Sequence, residues 1–165
     1  MKNVCLLSLM LCAGTFAQSD PTIRWRGMEG VITAPGVDNP VGSIHSGAGP
    51  WTARSGGARI NMSTGEGSFE IEGLVLNGSA FSGSPGAVSS VVGTLVCNAG
   101  STSGAVEAAV DTPATSLSAD GNAELSFKIN VPGVCNNPAF LVRTASGRWL
   151  ATATKPAASG EKSRY

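Results

Sequence analysis

The chain is predicted to be all-β: an antiparallel two-sheet sandwich of the immunoglobulin-like kind with about eight strands. A small β-barrel is the alternative arrangement. Three observations predict this class. No window carries a sustained 3.6-residue apolar period, and the apolar signal comes instead as short alternating runs bounded by Gly, Pro, Asn and Asp. The chain holds 22 Gly and 9 Pro, and charged residues make up only 13% of it. That profile suits a β-protein with many tight turns better than a helical bundle. No helical pattern separates the strand-like runs, so successive strands must pair antiparallel.

The elements follow in order. Residues 1–17 have the form of a secretory signal: Lys2 gives the positive start and 4–13 an apolar stretch. Thr15 and Ala17 are the small residues before a cleavage point. The stretch is too short to cross a bilayer. Leu11 before Cys12 argues against a lipid anchor, which wants a small residue there. The domain is then expected over 18–154, with a disordered tail over 155–165 that has alternating charge and no apolar anchor.

Within the domain, 22–27 alternates, with Ile23 and Trp25 on one face and Arg24 and Arg26 on the other. A long loop is expected over 35–50, rich in Gly and Pro. A strand region over 51–62 is expected to break at Gly56-Gly57. The clearest strand is 68–76, with Phe69 and Ile71 inward, Glu70 and Glu72 outward, and Gly73 as a bulge. Residues 89–97 are β-branched and apolar throughout, as in a strand buried on both faces; 104–110 alternates weakly. Asp120-Gly121 makes a turn before a strand presenting Leu125, Phe127, Ile129 and Val131 on one side. The last two strands cover 139–144 and 148–152, joined at Ser146-Gly147.

The runs Ile71-Glu72-Gly73-Leu74-Val75-Leu76, Val92-Gly93-Thr94-Leu95-Val96-Cys97 and Asn137-Pro138-Ala139-Phe140-Leu141-Val142-Arg143 resemble those of a group of small secreted bacterial proteins of unknown function. Pro50-Trp51-Thr52 and Gly147-Arg148-Trp149-Leu150-Ala151 add to the likeness. The resemblance implies a secreted bacterial β-domain and carries no activity with it.

Composition narrows the function. Losing Lys2 leaves the eleven acidic residues one ahead of the basic ones. Such a balance provides neither a nucleic-acid footprint nor a polybasic lipid patch. Cys5 and Cys12 leave with the signal, so Cys97 and Cys135 remain to pair in an oxidising compartment. Their spacing is not that of a redox or metal-binding pair.

Catalytic candidates are few. His45 is the one histidine, which excludes any site needing two imidazoles; Ser43 and Ser46 lie beside it. Glu70 and Glu72, at i and i+2 on one strand, are the one close carboxylate pair on an expected element. Alternating glutamates are also how the wet face of a strand stays soluble. Asp120-Gly121-Asn122 and Asp38-Asn39 are better explained as turns than as calcium ligands. No obligatory metal and no cofactor are expected.

Trp25 and Trp149 are expected in the core. Trp51, after Pro50 at a loop exit, is the candidate for an exposed, ligand-stacking aromatic. The resulting expectation is a secreted, non-enzymatic domain, periplasmic or extracellular, with a structural or protein-interaction role and an unknown protein or glycan partner. After signal removal no membrane span is expected. A carbohydrate-binding module using Trp51 is the alternative, and a hydrolase the third reading.

Overall fold

A strand wetted on one side buries every second side chain, and β1, Thr22–Arg26, does so: Trp25 is buried between exposed Arg24 and Arg26. The computed structural model describes residues 21–34, 36–100 and 107–153. The expected signal over 1–17 and tail over 155–165 lie outside the described residues. After β1 come β2 (Met28–Gly30), β3 (Trp51–Thr52), β4 (Ser55–Asn61), β5 (Glu66–Glu72) and β6 (Val75–Leu76). Then follow β7 (Ser90–Cys97), β8 (Ala108–Ser116), β9 (Ala123–Lys128), β10 (Ala139–Thr144) and β11 (Trp149–Ala153). The described residues thus form more strands than the eight expected, because several short pieces are separate elements.

The strands make a four-stranded sheet, β1-β4-β5-β9, a five-stranded sheet, β2-β11-β10-β7-β8, and the small pair β3-β6. Every pairing between these strands is antiparallel. None of the sheets closes on itself, so the barrel alternative is set aside. The two larger sheets meet through aromatic rings: Phe140 of β10 lies 5.6 Å from Phe69 of β5 and 6.0 Å from Trp25 of β1. Gly93 of β7 makes the room for them. An added Cβ there would sit 2.6 Å from Phe140 Cζ and 3.0 Å from Phe69 Cε1.

Three expectations about boundaries change. Gly56 and Gly57 do not interrupt a strand but lie inside β4; the break falls at Ala53-Arg54. The reason is packing, since a Cβ on Gly56 would meet Met28 Cγ and the Glu70 carbonyl at 2.7 Å. Gly73, at φ 63, ends β5 instead of bulging it, and the chain resumes as β6 in another sheet. The weak strand expected at 104–110 begins, within the described residues, at Ala108 and runs on to Ser116. It tolerates Pro113 because β8 ends its sheet, where a missing amide costs no ladder bond.

β7 is buried on both sides, as its composition suggested. Thr94 pairs with Asp111 and with Leu141, so these three share the face turned away from the aromatic core. Arg143 lies across this face, donating to Thr94 Oγ1 at 2.7 Å and to both Asp111 oxygens at 2.5 and 2.6 Å. The loop over 36–50 is fixed to the same side: the Ser43 amide donates to the Glu107 carboxylate at 2.7 Å. Ser46 forms a parallel bridge with Trp149.

Cys97 and Cys135 are disulfide-bonded. The bridge joins the end of β7 to the segment entering its neighbour β10, within one sheet. Asn98, at φ 62, secures the joint by exchanging bonds with Asn136.

Candidate functional site

The outer face of the four-stranded sheet carries a shaped surface. Alternation puts its side chains there, and register arranges them in rows. In one row Arg24 lies opposite Arg59, Arg59 opposite Ser68, and Ser68 opposite Ser126. In the next, Arg26 lies opposite Gly57, Gly57 opposite Glu70, and Glu70 opposite Glu124. An open groove of about 800 Å³ runs over them, its floor lowered at Gly57 where no side chain stands.

The charges on this face are only partly sorted. Arg24, Arg26 and Arg59 stand on β1 and β4 and Glu66, Glu70, Glu72 and Glu124 on β5 and β9, but Lys128 of β9 also stands there, 3.4 Å from Glu66. Like charges therefore sit directly opposite one another twice, an arrangement that destabilises a sheet locally. Arg59 donates to the neutral Ser68 hydroxyl at 2.9 Å. Among the described residues, Glu70 and Glu124 have no cation within ion-pair distance. Glu72 differs: the Ser55 hydroxyl at 2.8 Å and Arg54 at 3.3 Å hold its carboxyl below the usual range. A general acid needs the opposite shift, so Glu72 is not held as the acid of a glycosidase pair.

A second hollow, of about 480 Å³, lies in the long loop beside Val37, His45, Ala48 and Arg148. Here the structure supplies a residue the sequence reading had only as a turn. Asp38 bonds the His45 imidazole at Nδ1 and accepts the Ser46 amide at 2.9 Å and its hydroxyl at 3.2 Å. The His45 bond, the largest cause, and the Ser46 amide lower the Asp38 pKa from its ordinary value. An aspartate on Nδ1 is half of a catalytic triad. The other half is missing among the described residues, since Ser46 turns to the carboxylate and no hydroxyl bonds the imidazole. His45 is 64% exposed at its side chain. The cluster therefore works as a clasp closing 38–46 into a loop.

The expectation that Trp51 is exposed is corrected: it is 5% exposed. The loop folds back over it, so that a Cβ on Gly47 would lie 3.4 Å from the Trp51 indole nitrogen and 3.0 Å from Leu150 Cδ2. Trp25 and Trp149 are buried as expected, with indole nitrogens donating to the Pro138 and Asn39 carbonyls at 3.3 and 2.7 Å. With all three buried, no tryptophan offers a stacking platform for a sugar.

The sequence reading had Arg24, Arg26, Glu70 and Glu72 on a wet face but missed Arg59 and Glu124 as their partners in rows. Only the pairing register brings these together, and no local signal encodes it. No helix among the described residues is long and apolar enough to cross a membrane. Comparison of the chain with protein-family models, with curated proteins and with solved structures finds no match.

Proposed function

We propose that the chain is a secreted, non-enzymatic domain that binds a protein partner through the outer face of its four-stranded sheet. An immunoglobulin-like two-sheet sandwich is the scaffold this reading rests on, supported by antiparallel pairing between all its named strands and by rings in contact between the sheets. It differs from antibody domains in that its disulfide stays within one sheet. Export is supported by the leader-like 1–17 and by a disulfide, which needs an oxidising compartment.

One observation carries the binding reading: an open groove of about 800 Å³ crosses this face, floored at Gly57 and edged by Arg26 and Arg59 on one side and by Glu70 and Glu124 on the other. A groove edged by both signs of charge gives specificity when a partner of matching pattern docks.

Site-specific crosslinking tests it. A photoreactive residue replacing Ser126, in the face, is compared with one replacing Ala145, on the exposed turn between β10 and β11, in cells producing the full chain. The expected result is a discrete protein adduct from position 126 alone, lost when Arg59→Glu and Glu70→Arg are added. Equal labelling from both positions would count against the face.

A further inference from the structure

We propose that Asn77-Gly78, in the turn leaving β6, is a modification site at which the chain reacts with itself. The asparagine side chain closes onto the glycine amide, loses ammonia, and is reopened by water as a carboxylate. The site lies away from the binding face and stands independently of it.

This chemistry asks three things of a fold. The carboxamide must not be held elsewhere, the next amide must not be donating, and there must be room between them. Asn77 is exposed, and among the described residues its side chain makes no hydrogen bond. Its main-chain amide donates to the Pro50 carbonyl at 2.9 Å, which anchors one side of the turn. The Gly78 amide donates to nothing among the described residues. Gly78 lies at φ 77, and a Cβ placed there would meet, beyond its chain neighbours, just Pro50 Cγ at 3.8 Å. Because glycine has no side chain, nothing on residue 78 obstructs the approach of Asn77 Cγ to its nitrogen.

The other asparagines differ. Asn77 is the one asparagine of the chain followed by glycine. Asn61 Oδ1 accepts from the Ser63 amide and hydroxyl and from the Thr64 amide, at 3.0, 2.7 and 3.1 Å. The Met62 amide that would have to attack it already donates to Pro21 at 3.2 Å. Asn122 Oδ1 accepts the Gly73 amide at 2.9 Å.

The step balances without an oxidant or a cofactor. The Gly78 amide gives its proton to solvent base, and its nitrogen bonds to Asn77 Cγ. The Cγ–Nδ2 bond breaks, and Nδ2 takes up a proton and leaves as ammonia. Water then adds to one of the two ring carbonyls and breaks its bond to the ring nitrogen. Opening at the side-chain carbonyl leaves an aspartyl residue at position 77; opening at the main-chain carbonyl leaves an isoaspartyl one. Either product puts a carboxylate into residues 73–106, a stretch with no charged side chain. The isoaspartyl form also adds a methylene to the main chain, inside the loop that the Gly83 amide closes on the Leu76 carbonyl at 3.0 Å.

Peptide mass spectrometry on the purified chain, incubated at 37 °C and pH 8.5 over weeks, is the test. A synthetic peptide covering 73–83 supplies the rate of the same sequence without the fold. The expected result is a gain of one mass unit at position 77 before any other asparagine, at no less than one-tenth of the peptide's rate. An acidic species should grow in step on ion exchange. Asn77→Gln, which keeps the carboxamide but lengthens its arm, should slow that species at least tenfold. Gly78→Ala should slow it at least fivefold, and thermal unfolding checks that alanine at this positive φ leaves the domain folded. A native rate below one-tenth of the peptide's overturns the proposal, because the fold would then be protecting the pair. Earlier reaction at another asparagine, or an acidic species undiminished in Asn77→Gln, overturns it as well.

Discussion

At the scale of single residues, Asp38 shows how much of a loop one carboxylate can organise. Its two oxygens gather the imidazole of His45 and the amide and hydroxyl of Ser46, and so close a loop that covers Trp51. All three bonds favour the ionised form, so the folded pKa lies below the ordinary 3.8. The sign of the pH effect follows. A depressed carboxyl contributes stability above its ordinary value and loses it as the pH falls through the folded value. Urea unfolding from pH 7 down to 2 should therefore show the wild type losing stability below about pH 3.8, the ordinary value of Asp38. Asp38→Asn should start less stable and decline less steeply in that window, the two curves converging at the acid end. Parallel curves would mean that the clasp does not titrate with folding.

At the scale of elements, the disulfide is the clearest case where sequence and structure agree. With Cys5 and Cys12 read as part of an expected leader, Cys97 and Cys135 were left to pair, and the bond closes a separation of 38 residues. On the chain-entropy estimate such a closure contributes about 4 kcal/mol. Cys135→Ser, which alters the less buried partner, should lower the thermal midpoint by about 10 °C or more for a domain of this size. Adding reductant to the wild type should reproduce most of that drop, and an unchanged midpoint in both would dismiss the bridge as a stabiliser. The strands legible in advance were those whose pattern is local, such as the alternation in β5 and the paired runs of β10 and β11 around Ser146-Gly147. What was hidden depended on contacts distant in sequence. β2 is three residues long and too short to show a period. The glycines of β4 looked like a break because their reason, the approach of Met28, lies elsewhere in the chain. Trp51 looked exposed because its cover, Gly47, belongs to a loop with no regular pattern.

At the scale of the whole molecule, one aromatic group holds the two large sheets together. Phe140 touches Trp25, Phe69 and Phe127, which come from three strands of the opposing sheet. The chain itself crosses between the sheets at Gly27, φ 72, a turn of one residue between β1 and β2. Neither sheet can then be lost without uncovering the ring cluster of the other, so unfolding should be a single transition. Phe140→Ala removes the shared ring from a fully buried position and should cost about 3–5 kcal/mol. Near-UV circular dichroism follows the aromatic packing, and far-UV circular dichroism follows the strands. The two transitions should coincide in the wild type and still coincide, at a lower midpoint, in the variant. If the near-UV signal melts first while the strands persist, the sheets are stable apart and the ring cluster is not what couples them.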